Sequence, residues 1–314
     1  LYAEGIFFNN SIINTLSETM FDGVQGVKTF VSDYYKFCCV RPSTVTEENC
    51  YPHEDEFSSC DDLIRNEILR PLIWIIGLFT LISNIISLFC RFIYQREQLK
   101  HSYCIFVSHL ALSDFLMGMY LIIVAGADIT LRGQYIFHKD WWLQSAWCKL
   151  AGVLSTMSSE ASVLFICLIT LDRLLAVKYP FGQRRLSLNV GHALAIIVWI
   201  IAIVLALLPL TFTSYFHDDF YSQSGVCLAL PLTSERVSGW LYSVAIFVVF
   251  NIVSCLLLAV GQWIIYSEIK ASAKASGTSR RQEKRSKDTR MAWNLLLVVS
   301  TDFLCWLPIG FLGR

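Results

Sequence analysis

Six stretches of the chain stay apolar for long enough to cross a hydrocarbon layer, which takes about 20 helical residues. They are Leu72 to Phe92, Cys104 to Ala127, Leu150 to Val177, Ala193 to Phe212, Trp240 to Tyr266 and Trp293 to Leu312. The third is interrupted by Ser158, Ser159, Glu160 and Ser162. Polar side chains at that depth are costly against lipid and belong inside a bundle, so the pattern predicts one packed polytopic bundle, not six independent anchors. Between runs five and six, Ser267 to Lys287 mixes Ala, Ser, Gly, Lys and Arg without apolar period, and its middle is expected to be a mobile cytoplasmic loop.

The residues ahead of the first run follow another pattern. Phe7, Asn10, Ile12, Leu16, Phe21 and Val24 fit the later part of the repeat L-x-x-N-x-I-x-x-x-L-x-x-x-x-F-x-x-L, with a half-match at Val27 and Phe30. In such a repeat the asparagine satisfies backbone groups at the turn and the apolar positions stack on the next unit. One unit cannot cover its own apolar face, so this stretch is expected to end a longer leucine-rich solenoid that continues upstream. Asn9-Asn10-Ser11 offers a glycosylation acceptor at Asn9.

Composition adds the solvent. With 55% hydrophobic and 16% charged residues, the chain is more apolar than a water-soluble domain. Its zero formal net charge gives no reason to expect nucleic acid as a partner. The bases are placed unevenly. Arg91, Arg96 and Lys100 follow run one, Arg173, Lys178, Arg184 and Arg185 follow run three, and Lys270 through Arg290 follow run five. Those loops are expected on the cytoplasmic side. The loops after runs two and four carry chiefly Arg132, Lys139 and Arg236, so they and the N-terminus are expected outside.

Of eleven cysteines, Cys38, Cys39, Cys50, Cys60, Cys148 and Cys227 fall in the expected exterior, where disulfides persist. Adjacent Cys38 and Cys39 are poorly placed to bridge each other, so each is expected to take Cys50 or Cys60, in an order the spacing leaves open. Cys90, Cys104, Cys167, Cys255 and Cys305, in or beside the runs, read as free thiols.

Motifs inside the runs are more specific. Run one carries Ser83-Asn84, run two Leu110-Ala111-Leu112-Ser113-Asp114, and run three starts after Cys148 and ends Leu171-Asp172-Arg173-Leu174. Run four has Trp199 and Pro209, and run six Cys305-Trp306-Leu307-Pro308. This ordered set resembles the rhodopsin-like (class A) G-protein-coupled receptors from Leu72 to Leu312. Phe37-Cys38-Cys39, Lys287-Asp288-Thr289 and Thr301-Asp302-Phe303 resemble the leucine-rich-repeat receptors within that family. Gly126 to Tyr135, Gly225-Val226-Cys227 and Tyr242 to Phe247 look most like the relaxin-peptide receptor branch.

The resemblance implies an all-α membrane bundle of the seven-transmembrane receptor fold, with six helices in this chain and a seventh expected beyond it. It implies a leucine-rich-repeat C-terminal cap ahead of the bundle, dividing the chain into residues 1–37 (last repeats), 38–69 (cysteine-rich hinge) and 70–314 (helices one to six). It implies a plasma-membrane protein, N-terminus outside, that couples an extracellular peptide or protein ligand to a heterotrimeric G protein. Arg173, held by Asp172 and by Asp288 at the base of helix six, would be the switch, with Trp306 and the Pro308 kink below the cavity. Asn84, Asp114 and Ser162 would form a polar cluster able to hold sodium, whose hardness suits oxygen ligands. Cys148 and Cys227 would pin the second extracellular loop, placing Leu228 and Leu230 over the cavity as an internal plug or activator, with Trp141 and Trp142 packed nearby.

Departures from the pattern refine the expectation. Ser155 stands seven residues after Cys148, where amine receptors carry aspartate, so an amine ligand is not expected. Run five has no proline, which predicts a smaller movement of that helix. Leu174 replaces the usual tyrosine or tryptophan, which is expected to loosen packing and raise basal activity. No metal-protease, phosphate-loop or intramembrane-hydrolase motif is present, so an enzyme is not expected. The rival reading is a leucine-rich-repeat ligand sink or adhesion protein that does not signal.

Overall fold

The computed structural model describes residues 5–8, 17, 20–32, 35–51, 60–93, 101–179, 186–216, 220–229 and 239–274. It begins with a small parallel sheet: β1 (Gly5–Phe8), β2 (Thr29–Ser32) and β3 (Cys50–Tyr51), in that order. Gly5 pairs with Thr29, an offset of 24 residues, within the length of a leucine-rich repeat. Val27 and Phe30, the half-match positions, are 1% and 0% exposed and pack with Phe21, Phe37 and Val45. Cys38 is joined to Cys50 and Cys39 to Cys60, which resolves the pairing the spacing left open.

The bundle follows as α1 (Leu69–Ile93), α2 (Ser102–Thr130), α3 (Tyr135–Gln144), α4 (Ala146–Lys178) and α5 (Leu188–Thr211). The last described rod, α6, runs through Trp240–Ser243, a π-helical stretch Val244–Phe250 and Asn251–Lys274. Each backbone group of a membrane helix is satisfied within the helix, which is why such runs fold this way in lipid. Among the described residues α1, α2, α5 and α6 are long and apolar enough to cross a membrane. Their outer faces carry exposed Ile75, Phe79, Ile196, Ile200, Leu256 and Trp263, the faces lipid would cover. Run six lies outside the described residues.

Helix α4 is the axis. It has 33 residues and packs against α2, α5 and α6. Its buried face carries Ser155, Thr156, Ser158, Ser159 and Glu160, so the polar residues of run three do face inward. Small residues let the helices close up, as is common between membrane helices. A Cβ on Gly118 would lie 2.9 Å from Leu81 Cγ, and one on Gly77 3.1 Å from Ile122 Cδ1, so α1 and α2 meet nearly backbone to backbone there. Trp199 Nε1 donates to His109 Nδ1 at 3.1 Å, and the His109 ring stacks on Phe165 at 5.5 Å. That ring group joins α5, α2 and α4.

The proline-free fifth run forms a π-turn instead of a smooth α-helix. A π-turn leaves carbonyls badly placed for the usual ladder. Asn251 Nδ2 donates to the carbonyls of Ile246 at 3.3 Å and Phe247 at 3.1 Å, so one buried amide staples the widened turn.

Gly152 on α4 leaves the space that the Tyr221 ring fills: a Cβ there would sit 2.2 Å from Tyr221 Cδ1. Tyr221 is 1% exposed, and its hydroxyl donates to the Ala206 carbonyl at 2.6 Å. Gly152→Val should lower the thermal midpoint of the purified protein by the equivalent of about 1–3 kcal/mol of overpacking. Gly126→Ala, where the added Cβ meets nothing within 4 Å, should not lower it.

Candidate functional site

Chemistry-bearing residues gather at three levels of α4. At the end facing the N-terminal sheet, Cys148 is bonded to Cys227, and Cys227 takes a left-handed backbone with φ 55°. The loop is fastened on both sides of that bond. Trp142 Nε1 donates to the Gly225 carbonyl at 2.8 Å, Tyr120 to the Val226 carbonyl at 3.1 Å and Ser222 to the Leu143 carbonyl at 2.6 Å. Ser243 Oγ on α6 donates to the Ala229 carbonyl at 2.6 Å. The loop thus forms a lid tied to α2, α3, α4 and α6. Leu228 packs beneath it against the cluster of Tyr120, Val124, Trp142 and Leu154; Leu230 lies outside the described residues.

Of the two tryptophans expected beside the loop, only Trp142 is there. Trp141 is 66% exposed. Successive residues of a helix point about 100° apart, and α3 can turn only one of them toward the lid. Helix α3 itself was not foreseen, because its residues lack a clear apolar period.

Midway along α4, Ser162 Oγ donates to Asp114 Oδ1 at 3.0 Å and lies 2.8 Å from Ser113 Oγ. Ser158 donates to the Ser113 carbonyl at 2.7 Å. Asn84 donates to Thr80 of its own helix at 2.9 Å. The Asp114 carboxylate and Ser162 hydroxyl are the oxygen donors a hard cation accepts, so these two residues fit sodium in kind. Between Ser158 and Ser162, Glu160 is 0% exposed and neither carboxylate oxygen meets a hydrogen-bond donor among the described residues. Ser155 is buried and donates to the Gly152 carbonyl at 3.0 Å.

At the far end of α4 the Arg173 guanidinium carbon lies 3.5 Å from the Tyr103 ring centroid, a stacked cation–π contact. Arg173 Nε is buried and meets no acceptor among the described residues. Asp172 adjoins it in the chain; Asp288, Trp306, Pro308 and Asn9 lie outside the described residues.

One cluster was missed in the sequence. Asp128, at the lid-side end of α2, is 1% exposed. Its Oδ1 accepts from the Ile64 backbone N–H at 2.8 Å, and its Oδ2 lies 3.2 Å from Arg70 Nε and 3.5 Å from Arg132 Nη2. Arg70 also pairs with Asp62, which accepts from the Gly133 N–H at 3.1 Å. The Tyr135 and Ile136 N–H groups donate to the carbonyls of Asp61 and Cys60 at 3.2 and 3.1 Å. These bonds fasten the segment after Cys60 to the tops of α1, α2 and α3. On its other side α3 reaches the sheet module, where Phe137 packs on the Phe30 and Phe37 core. Burial holds Lys139 below the ordinary lysine pKa; Asp140 opposes this and Lys36 of the module adds to it. The signal available was an acid at the end of an apolar run with Arg132 four residues on.

These helices define an integral membrane bundle, closed over at one end by a disulfide-pinned loop. The chain belongs to the rhodopsin family of seven-transmembrane receptors: the family model for the 7 transmembrane receptor (rhodopsin family) matches residues 83–312. It is similar to the G-protein coupled receptor GRL101 of Lymnaea stagnalis, 42% identical over 296 residues, 94% of this chain and 26% of that protein. Relaxin receptor 1 of Homo sapiens is 30% identical over 276 residues, covering 88% of this chain and 35% of that protein. The thyrotropin receptor of Felis catus is 30% identical over 266 residues, 83% of this chain and 32% of that protein. The chain spans well under half the length of these curated relatives. Relaxin receptors among them agree with the branch that the sequence resembles.

Asp128→Ala leaves the Ile64 N–H without its acceptor while Arg70 keeps Asp62, so it is expected to cost about 1–3 kcal/mol, seen as faster hydrogen exchange at residues 60–66. Arg132→Ala, with a half-exposed side chain, should cost under about 1 kcal/mol. Equal effects would show that Asp128 does not organise the cluster.

Proposed function

We propose that this chain is the membrane part of a cell-surface receptor in which a leucine-rich-repeat ectodomain recognises a peptide or protein hormone and the bundle activates a heterotrimeric G protein. The observation that carries this reading is the family match over residues 83–312, together with an arginine at the far end of the helix whose other end holds the lid. On this reading residues 1–37 end the repeats, 38–69 form the hinge and 70–314 supply helices one to six. The N-terminus and lid face outward, the far end of α4 faces the cytoplasm, and Asn9 carries glycan.

Arg173 is the switch residue. Its guanidinium leaves its resting contacts, with Asp172 and Asp288 as its acidic partners, when helix six swings about the Pro308 kink beneath Trp306. That movement opens a cleft for the G protein, and an external ligand biases the two states by binding one more tightly. Asp114 and Ser162 hold the resting state; with Asn84 they would hold a sodium ion, which would supply the positive charge that neutralises Asp114. Leu228, packed under the lid, acts with Leu230 as a tethered plug, so the lid transmits what the ectodomain binds. Leu174, lacking an aromatic ring against α6, favours basal activity.

Full-length receptor expressed without ligand should raise cyclic AMP or calcium. Arg173→Ala should abolish that signal at equal surface level, and Leu174→Tyr should lower it. A ligand-stimulated signal that survives Arg173→Ala would remove Arg173 from the switch, and silence of every variant with hormone bound would favour the ligand sink. Leu228→Asp should change both basal and stimulated output, since a carboxylate cannot sit among Tyr120, Val124 and Leu154; unchanged output would mean the lid is a surface loop only.

A further inference from the structure

The contact that holds Arg173 among the described residues is an aromatic face. Tyr103 is the second residue of α2, half-buried, with its ring beneath the guanidinium at 3.5 Å. A guanidinium carbon at that height over a ring is in van der Waals contact, and a ring quadrupole attracts the cation most where water is excluded. Burial of Arg173 Nε without an acceptor fits a guanidinium positioned by its flat face.

The ring is also fixed in place. Ser102, next to it and 4% exposed, donates to the Leu186 and Ser187 carbonyls at 2.9 and 3.2 Å. Ser187 is the N-cap of α5, its hydroxyl accepting from the Val190 N–H. Gly191 makes room for this junction, since a Cβ there would lie 3.1 Å from Ser102 Oγ. The start of α2 is therefore bolted to the start of α5, and the Tyr103 ring stands on a rigid shelf.

We propose that Tyr103 is a positioning residue that restrains Arg173 in the resting receptor by stacking under its guanidinium. The proposal rests on the reading of Arg173 as the switch. The ring adds a restraint that needs no acid, and an arginine must slide off it to enter a G-protein cleft. The ring acts through its face, so the hydroxyl contributes nothing to the restraint.

The test uses full-length receptor in nanodiscs with a panel of purified heterotrimeric G proteins, reading ligand-free nucleotide exchange per folded receptor. Tyr103→Leu should raise basal exchange about 3- to 30-fold, the ratio set by losing one cation–π contact, while maximal stimulated exchange stays the same. Tyr103→Phe should match the parent. Basal exchange unchanged or lowered in Tyr103→Leu, or raised equally in Tyr103→Phe, would overturn the proposal. Arg173→Ala, measured in parallel, separates the two failures. Exchange abolished by Arg173→Ala but unmoved by Tyr103→Leu leaves the switch and removes the shelf; full exchange with Arg173→Ala removes both.

Discussion

The structure depends on one constraint, that a helix with a row of polar side chains cannot show them to lipid. Helix α4 carries Ser155, Thr156, Ser158, Ser159 and Glu160 on its buried face, and each would cost free energy against hydrocarbon. Sequestering them requires neighbours on several sides, which α2, α5 and α6 supply. Thirty-three residues of α-helix span about 50 Å, so the same rod that is forced to the centre also reaches both ends of the bundle. Its first turn holds Cys148 and its last turns hold Asp172 and Arg173. The lid, the Asp114 cluster and the cationic end are thereby set on one rigid element, and their relative positions follow from its burial.

At the top of the bundle electrostatics takes over from packing. Asp128 is more deeply buried than either arginine beside it, and it accepts a backbone N–H as well as lying within ion-pair distance of both. One backbone donor on Oδ1 and two guanidinium charges within ion-pair distance of Oδ2 are what make this buried carboxylate tolerable. The segment that leaves the Cys39–Cys60 bridge is held by this cluster, by backbone bonds to α3 and by Leu63 packed on the bundle core. The sheet module and the bundle therefore meet through a short, heavily bonded stem.

Much of this was legible in the sequence, and what was legible shares a physical cause. Long apolar runs and inward polar residues are set by the solvent, so α1, α2, α4, α5 and α6 fall where the periodicity places them. The bond from Ser162 to Asp114 lies where the resemblance to the receptor family places it, and it gives an acid at membrane depth the donor it needs. The features that escaped depend on three-dimensional neighbours. Nothing in Tyr135–Gln144 distinguishes a loop helix from a loop until Trp142 and Phe137 find the two cores they join. Tyr103 is one tyrosine near a helix start, and only the arrival of α4 turns it into a platform. Arg70 and Asp128 are 58 positions apart in the chain, and spacing carries no hint that they meet. Proline's absence from the fifth run was plain, but the π-turn that replaces its kink is signalled only by a lone Asn251.

That π-turn also sets the register of everything beyond it. A π-turn accommodates one more residue than an α-turn, and one residue is about 100° of rotation. Below Phe250 every side chain of the rod is therefore wheeled round relative to a continuous α-helix. Gln262 meets Thr170 at 3.4 Å, and Gly261 lets the Thr170 methyl approach to 2.8 Å from where a Cβ would be. In an unbroken α-helix those two positions would swing off the α4 seam, and neighbours such as Trp263 would be carried to new azimuths. The staple at Asn251 thus behaves as a phase-setter, choosing from a distance of three turns which face of the helix is glued to the axis and which is left to lipid.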